Sequence, residues 1–214
     1  NALLKIFLIL FLFAYAIDCD AQQNQYFVKE FKKVDSFANK AEPKAALSLI
    51  DMLNNKARLQ NNSEMLVKSV VYRMLFQSYL EENHFVKIIK DLQEDVSLAK
   101  QPAKSILQSL LAESYWKYYE QNRYQFAQRT KVLGYKSADI STWSLPKITE
   151  ETIKNYIASL AETKLLQNIE SGKMKDILIG DSSTRYLRPT LYDILAHRAI
   201  DVFMNTQIEI AKND

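Results

Sequence analysis

Cysteine is almost missing from this sequence: Cys19 is the only one in 214 residues, and it lies in an N-terminal stretch that reads as removable. A chain without it forms no disulfide, no thiolate metal site and no cysteine nucleophile. Glycine and proline are nearly as scarce, three and four respectively, and so few turn formers argue against an all-β fold. A surplus of one charge is missing too. Lys and Arg number 28 against 25 Asp and Glu, a net of +3, with both signs interleaved rather than gathered in the basic stripe of a nucleic-acid binder. Nucleic acid is therefore not an expected partner. Nor does the sequence contain a G-x-S-x-G elbow, a phosphate-binding P-loop, a dinucleotide fingerprint or an EF-hand loop.

What is present begins with "NALLKIFLILFLFAYAIDCDAQQ", where Lys5 precedes an uninterrupted apolar run from Ile6 to Ile17. As a helix that run would span roughly 18 Å, well short of the ~30 Å hydrocarbon core of a bilayer. It reads instead as the apolar region of a signal peptide covering residues 1–21, with Cys19 and Ala21 small enough for the −3 and −1 positions of a cleavage site. The mature chain would start at Gln22 and be exported, to the periplasm or in association with an outer membrane. Asp18, next to Cys19, argues against a lipoprotein acylation site, which wants a small residue there. Cleavage removes Lys5, Asp18 and Asp20, shifting the net charge from +3 to +4. Lacking an initiator Met and ending soon after a helix, the chain reads as a fragment of a larger protein.

The rest, residues 22–214, carries the apolar periodicity of helices. Phe27, Val28, Phe31, Val34, Phe37 and Ala38 mark a first helix over Tyr26 to Asn39. Pro43 suits the first turn of a second, whose inner face is Ala46, Leu47, Leu49, Ile50 and Leu53. Asn62 or Ser63 caps a third, a fourth runs through "FVKIIKDLQEDVSLAK", and a fifth opens at Pro102 with a short partner in "RYQFAQRT". Hairpin openings near Tyr26, Ser63 and Pro102 are roughly 37 to 39 residues apart, the spacing of helical repeats. These features predict an all-α fold of antiparallel helical hairpins stacked as an α-α superhelix of the tetratricopeptide (TPR-like) kind. Gly134, Pro146 and the Ser and Thr around them place an internal break near 134–148. After it, Thr149 is the expected cap of a helix that continues to about Ile169, and Pro189 opens the last one.

Two places could carry function. In the last helix, Asp193, His197 and Asp201 recur at four-residue spacing on one side, yet the H-E-x-x-H spacing of a zinc site is absent and His84 is far away in sequence. Arg188, Asp193, His197 and Arg198 are therefore expected to form a structural polar cluster, with the acids pairing to the arginines. The segment "ESYWKYYEQNRYQF" gathers Tyr115, Trp116 and Tyr119 as candidate interaction aromatics. At helical spacing, however, Tyr115 and its neighbours are most economically core. No catalytic residue, metal ligand, cofactor or small-molecule substrate is indicated, and the chain is not expected to be an enzyme.

Four stretches, "FKKVDSFANKAEPKAALSLIDML", "LLAESYWKYYEQNRYQFAQRT", "DISTWSLPKIT" and above all "LRPTLYDILAHRAIDVF", resemble the N-terminal helical segment of the large alpha-2-macroglobulin family proteins of Bacteroidetes-type bacteria. The resemblance implies a helical scaffold that precedes macroglobulin-type β-sandwich domains in an exported, protease-trapping or protease-inhibiting protein. Its partners would be those downstream domains and proteases. None of the family's functional elements maps to a position here: a cleaved chain without cysteine has no thioester, and no bait region is identifiable. The alternative is a free-standing exported helical-repeat module that grips a peptide in a concave face, using Tyr115 and Tyr119.

Overall fold

The computed structural model describes residues 24–80, 82–127, 139–174, 177 and 186–204. The expected signal peptide and most of the expected internal break lie outside them. Among the described residues the chain is all-helical: α1 (24–39), α2 (Pro43–Leu59), α3 (Ser63–Leu80), α4 (His84–Leu98), α5 (Ala103–Gln121), α6 (Arg123–Ala127), α7 (Leu145–Ser159), α8 (Thr163–Gln167) and α9 (Leu191–Phe203).

The helix ends follow local chemistry. The two turns α1–α2 and α2–α3 close in the same way. Glu42 N–H donates to Phe37 O at 2.9 Å and Ala41 N–H to Ala38 O at 3.1 Å; Asn62 N–H donates to Ala57 O at 2.9 Å and Asn61 N–H to Arg58 O at 3.1 Å. This paired pattern places a left-handed residue just past the helix, a position that usually falls to glycine. In a chain so poor in glycine it falls to Ala41 (φ 56°) and Asn61 (φ 51°). Asn tolerates that conformation, whereas Ala bears its Cβ clash in full. Beyond the second turn, Asn62 Oδ1 accepts from Met65 N–H at 3.0 Å and caps α3.

Two expected boundaries move. Thr149 does not start α7: Ser144 does, its Oγ accepting from Lys147 N–H at 3.4 Å, and Thr149 is buried inside the helix. Ser144 directly precedes the Leu145–Pro146 first turn, so the proline sits where its missing N–H costs nothing. The same helix stops at Ser159, and α8 is a separate single turn before a 3₁₀ turn at Ser171–Met174. Pro189 lies two residues before α9. There Thr190 and Asp193 form a reciprocal capping box, Thr190 Oγ1 accepting from Asp193 N–H at 3.3 Å and Asp193 Oδ2 accepting from Thr190 N–H at 2.9 Å.

Packing centres on α5. Ile106, Leu107, Leu111, Tyr115 and Tyr118 are buried together with Ser105, Ser109 and Ser114, so buried residues take up most of the circumference of this helix, with Lys117 and Glu120 left exposed. A helix buried this widely packs against several neighbours at once. It packs against α4 and most extensively against α7, and it also meets α3 and α9. Ala112 of α5, Tyr156 of α7 and Ala199 of α9 form a small cluster where those three helices converge. Among α2 to α9 the broadest interfaces join α2 with α3, α4 with α5 and α5 with α7, one helix out of step with the hairpin openings expected at Ser63 and Pro102. The earlier helix α1 lays Phe27, Phe31 and Val34 into the core. Its Phe31 ring meets Tyr72 of α3 at 5.1 Å, and Lys56 of α2 sits 3.3 Å over its Tyr26 ring.

Replacing Ala41 by Gly removes the Cβ clash at φ 56° at the cost of a more flexible unfolded chain. Ala41→Gly is expected to raise stability by about 0.5–1 kcal/mol, read by urea denaturation; a loss of stability would show that Ala41 carries no such strain.

Candidate functional site

Three helices converge on one groove. Asn54 Nδ2 of α2 donates to Ser69 Oγ of α3 at 3.0 Å, and Gln77 Nε2 of α3 donates to Asp91 Oδ2 of α4 at 2.6 Å. Arg73 pairs with Asp95 one turn earlier on α3 and one turn later on α4, and α2 turns back into α3 over 60–62 alone, so α2 and α4 are each antiparallel to α3 and parallel to one another. Between them opens a groove of about 460 Å³, walled by Leu47, Asp51, Asn55 and Arg58 on one side and Lys87, Asp91, Glu94 and Leu98 on the other. Arg73 and Gln77 of α3, with Asn54 and Asp95, also line it. It runs on, past Arg58 and Leu98, into a smaller hollow of about 310 Å³ beside the turn residues Asn61 and Lys100. Lys100 Nζ donates to Asn61 Oδ1 there at 2.9 Å, joining the α2–α3 and α4–α5 turns.

The base of the groove is ionic. Asp95 of α4, only 4% exposed, accepts from the guanidiniums of Arg58 on α2 and Arg73 on α3, one carboxylate oxygen to each. Arg58 Nε also donates to Asn54 Oδ1 at 2.9 Å. Burial pushes the Asp95 carboxyl up from its ordinary value, and the charges of Arg73 and Arg58 pull it back without cancelling the shift. The site thus holds an anion where water would not leave one, because two cations from separate helices face it. Two nitrogens, Arg58 Nη1 and Arg73 Nε, and one oxygen, Gln77 Oε1, are buried there without a hydrogen-bond partner.

A larger hollow, about 740 Å³, lies over α7; among the described residues its lining comes from that helix, with Pro146, Ile153 and Ile157 supplying apolar surface. The described lining of the α2–α3–α4 groove, by contrast, brings polar groups from three helices together.

The residues singled out from the sequence are placed elsewhere and are not gathered together. Asp193 caps α9 rather than pairing with an arginine. Arg198 reaches across to α5, its Nε donating to Ser109 Oγ at 2.9 Å and its Nη2 meeting Glu113 Oε2 at 2.5 Å. Arg188 and His197 are exposed. The expected four-residue cluster is therefore corrected to two separate devices, a cap and a strap from α9 to α5, because the N-terminal turn of α9 uses Asp193 for its own N–H groups. Tyr115 and Trp116 are 2% and 5% exposed, which rules them out as a binding surface; Tyr115 stacks on Trp143 at 5.4 Å and accepts from Gln93 Nε2 at 2.8 Å. Tyr119 is half-buried, packed 5.0 Å from Trp116 and 5.5 Å from Phe126. Burial pushes the Tyr156 hydroxyl up to about 12, so it stays protonated beside the strap. Among the described residues no group of three or more His, Cys, Asp or Glu is placed to hold a metal ion, and no helix is long and apolar enough to cross a membrane.

The groove residues left a faint trace in the sequence. Asp95 shares the apolar stripe of Ile88 and Leu92, and Asn54 falls among Ile50, Leu53 and Ala57; a polar residue on a buried stripe signals a partner on another helix. Which helix supplies it is not written in the pattern.

Compared with known protein families, curated proteins and solved structures, the chain matches none.

Two predictions test these ionic devices. Asp95→Ala strands two partly buried guanidiniums and is expected to destabilise the fold by about 3–5 kcal/mol, measured by chemical denaturation; a change below about 1 kcal/mol would make the pair of ion pairs dispensable. At Glu113, burial pushes the carboxyl up, but Arg198 and Lys117 outweigh it and hold the group below its usual 4.5. Its contribution is therefore present above pH 4.5 and lost as pH falls through the lower folded value. Glu113→Gln should lose less Tm than the wild type on acidification below pH 4.5, whereas parallel acid limbs would refute the linkage.

Proposed function

We propose that this chain is a non-catalytic helical scaffold that docks a polypeptide in the groove between α2 and α4. One observation carries the reading: parallel helices on either side of a third present a linear, mixed-polarity groove with no reactive constellation in it. Side chains on its walls, Asp51, Asn55, Lys87, Asp91 and Glu94, offer both donors and acceptors to a chain lying along it. A main chain offers both in turn.

The antiparallel relation of α3 to both of its neighbours supports an α-α superhelical stack of helix pairs, in which helices of one layer line a concave face. The likeness of "LRPTLYDILAHRAIDVF" to alpha-2-macroglobulin family sequences supports placing the scaffold in an exported protein of that kind, periplasmic or associated with an outer membrane. The docked polypeptide would then be the downstream macroglobulin-type domains or a protease. As a free-standing module, the same groove would take a peptide from another protein.

The test is to fill the groove without disturbing the fold. Asn55 is an exposed wall residue, so Asn55→Trp is expected to leave the thermal unfolding curve in place and abolish binding to whichever members of a tiled peptide array the wild-type chain selects. Retained binding would put the docking surface somewhere other than between α2 and α4.

A further inference from the structure

We infer that the α2–α4 groove selects a basic side chain, a lysine or arginine of the docked polypeptide; this rests on the reading of the groove as the docking site. Among the described residues four carboxylates and three cations line it: Asp51, Asp91, Glu94 and Asp95 against Arg58, Arg73 and Lys87. The groove is therefore net negative in a chain whose overall charge is +3, and a cationic ligand is the one its local field favours. Each of the two arginines pairs one nitrogen with an oxygen of Asp95, while Arg58 Nη1 and Arg73 Nε are buried without a hydrogen-bond partner. That leaves Lys87 as the cation in the way, and its hold is weak: it is half-exposed and sits 3.7 Å from Asp91 Oδ2. Such a pair is displaced at little cost.

Gln77 supplies an independent pointer. The residue is 4% exposed and lines the groove, and its Oε1 has no hydrogen-bond partner. An amide flip cannot rescue it, because a carboxylate accepts only from the N–H end, and Asp91 Oδ2 at 2.6 Å holds that end. The orphan is thus an acceptor beside a carboxylate. Ammonium and guanidinium groups are donors with no acceptor capacity, and so complement an acceptor beside a carboxylate where a second carboxylate would not. Leu47 and Leu98 on the opposing walls give the aliphatic stem of such a side chain an apolar track, with the charged head left at Asp91 and Glu94.

Two fluorescent Gly/Ser octapeptides, one carrying two lysines and one carrying two glutamates, titrated into the full chain by anisotropy, decide the matter. The lysine peptide is expected to bind and the glutamate peptide not. Asp91→Asn combined with Glu94→Gln should weaken the lysine peptide by about tenfold or more. Glu94→Gln alone alters only an exposed group and should weaken it in the same direction with unchanged melting, which covers the case of a double variant that fails to fold. Equal or preferred binding of the glutamate peptide would overturn the cation assignment while leaving the groove as a docking site. Undiminished binding of the lysine peptide by the charge variants would overturn it as well. Binding of neither peptide overturns the assignment too, and the groove itself then stands or falls on the array comparison with Asn55→Trp.

Discussion

Asp95 is a carboxylate from which burial has stripped water, and its ionisation is sustained by guanidiniums arriving from two other helices. Arg58 comes from α2 and Arg73 from α3, so the three helices that form the groove share one charge-balanced knot. Apolar contacts between helices tolerate sliding and rotation by fractions of a turn, whereas two ionic contacts to the two oxygens of one carboxylate do not. The knot therefore sets the register of α2, α3 and α4, and with it the positions of every side chain on the groove walls. Polar contacts of this kind add less to net stability than to specificity of arrangement.

The second constraint is α5. A helix buried over most of its circumference cannot rely on one apolar stripe, and this one uses Ser105, Ser109, Ala112 and Ser114 to let its neighbours approach while Leu107, Leu111 and Tyr115 fill the space between them. The α4 wall of the groove leans on it through Gln93 and Tyr115, and α9 is strapped to it through Arg198. Tyr115, which its helical spacing marks as core, and Trp116 beside it are what this central position consumes. Tyr115 stacks on Trp143 and, through Gln93, backs the α4 wall of the groove, whereas Trp116 is buried and donates from Nε1 to Glu120 at 3.0 Å.

How much was legible depends on the range of the interaction. The all-helical class, the Pro43 start of α2, the Asn62 cap of α3 and the inner face of α2 follow from contacts within a few residues of each other, and the structure places them as periodicity indicates. Thr149 was misread because Ser144 and Thr149 are equally good caps on composition, and only the turn at Leu145–Pro146 decides between them. Asp193 invited a pairing with arginine that its own helix terminus pre-empts through the capping box with Thr190. The groove went unseen because Arg58 and Asp95 are 37 residues apart, and Arg73 and Asp95 are 22 apart.

The sequence by itself determined the secondary structure class, the scarcity of turns and the absence of cysteine chemistry from the described fold, because each depends on residue type and short spacing alone. Tertiary structure alone decided which helix became central and which polar residues were buried together. It also decided that two parallel helices would frame a net-negative groove. Those outcomes rest on through-space electrostatics and packing between segments whose separation along the chain leaves no periodic signature.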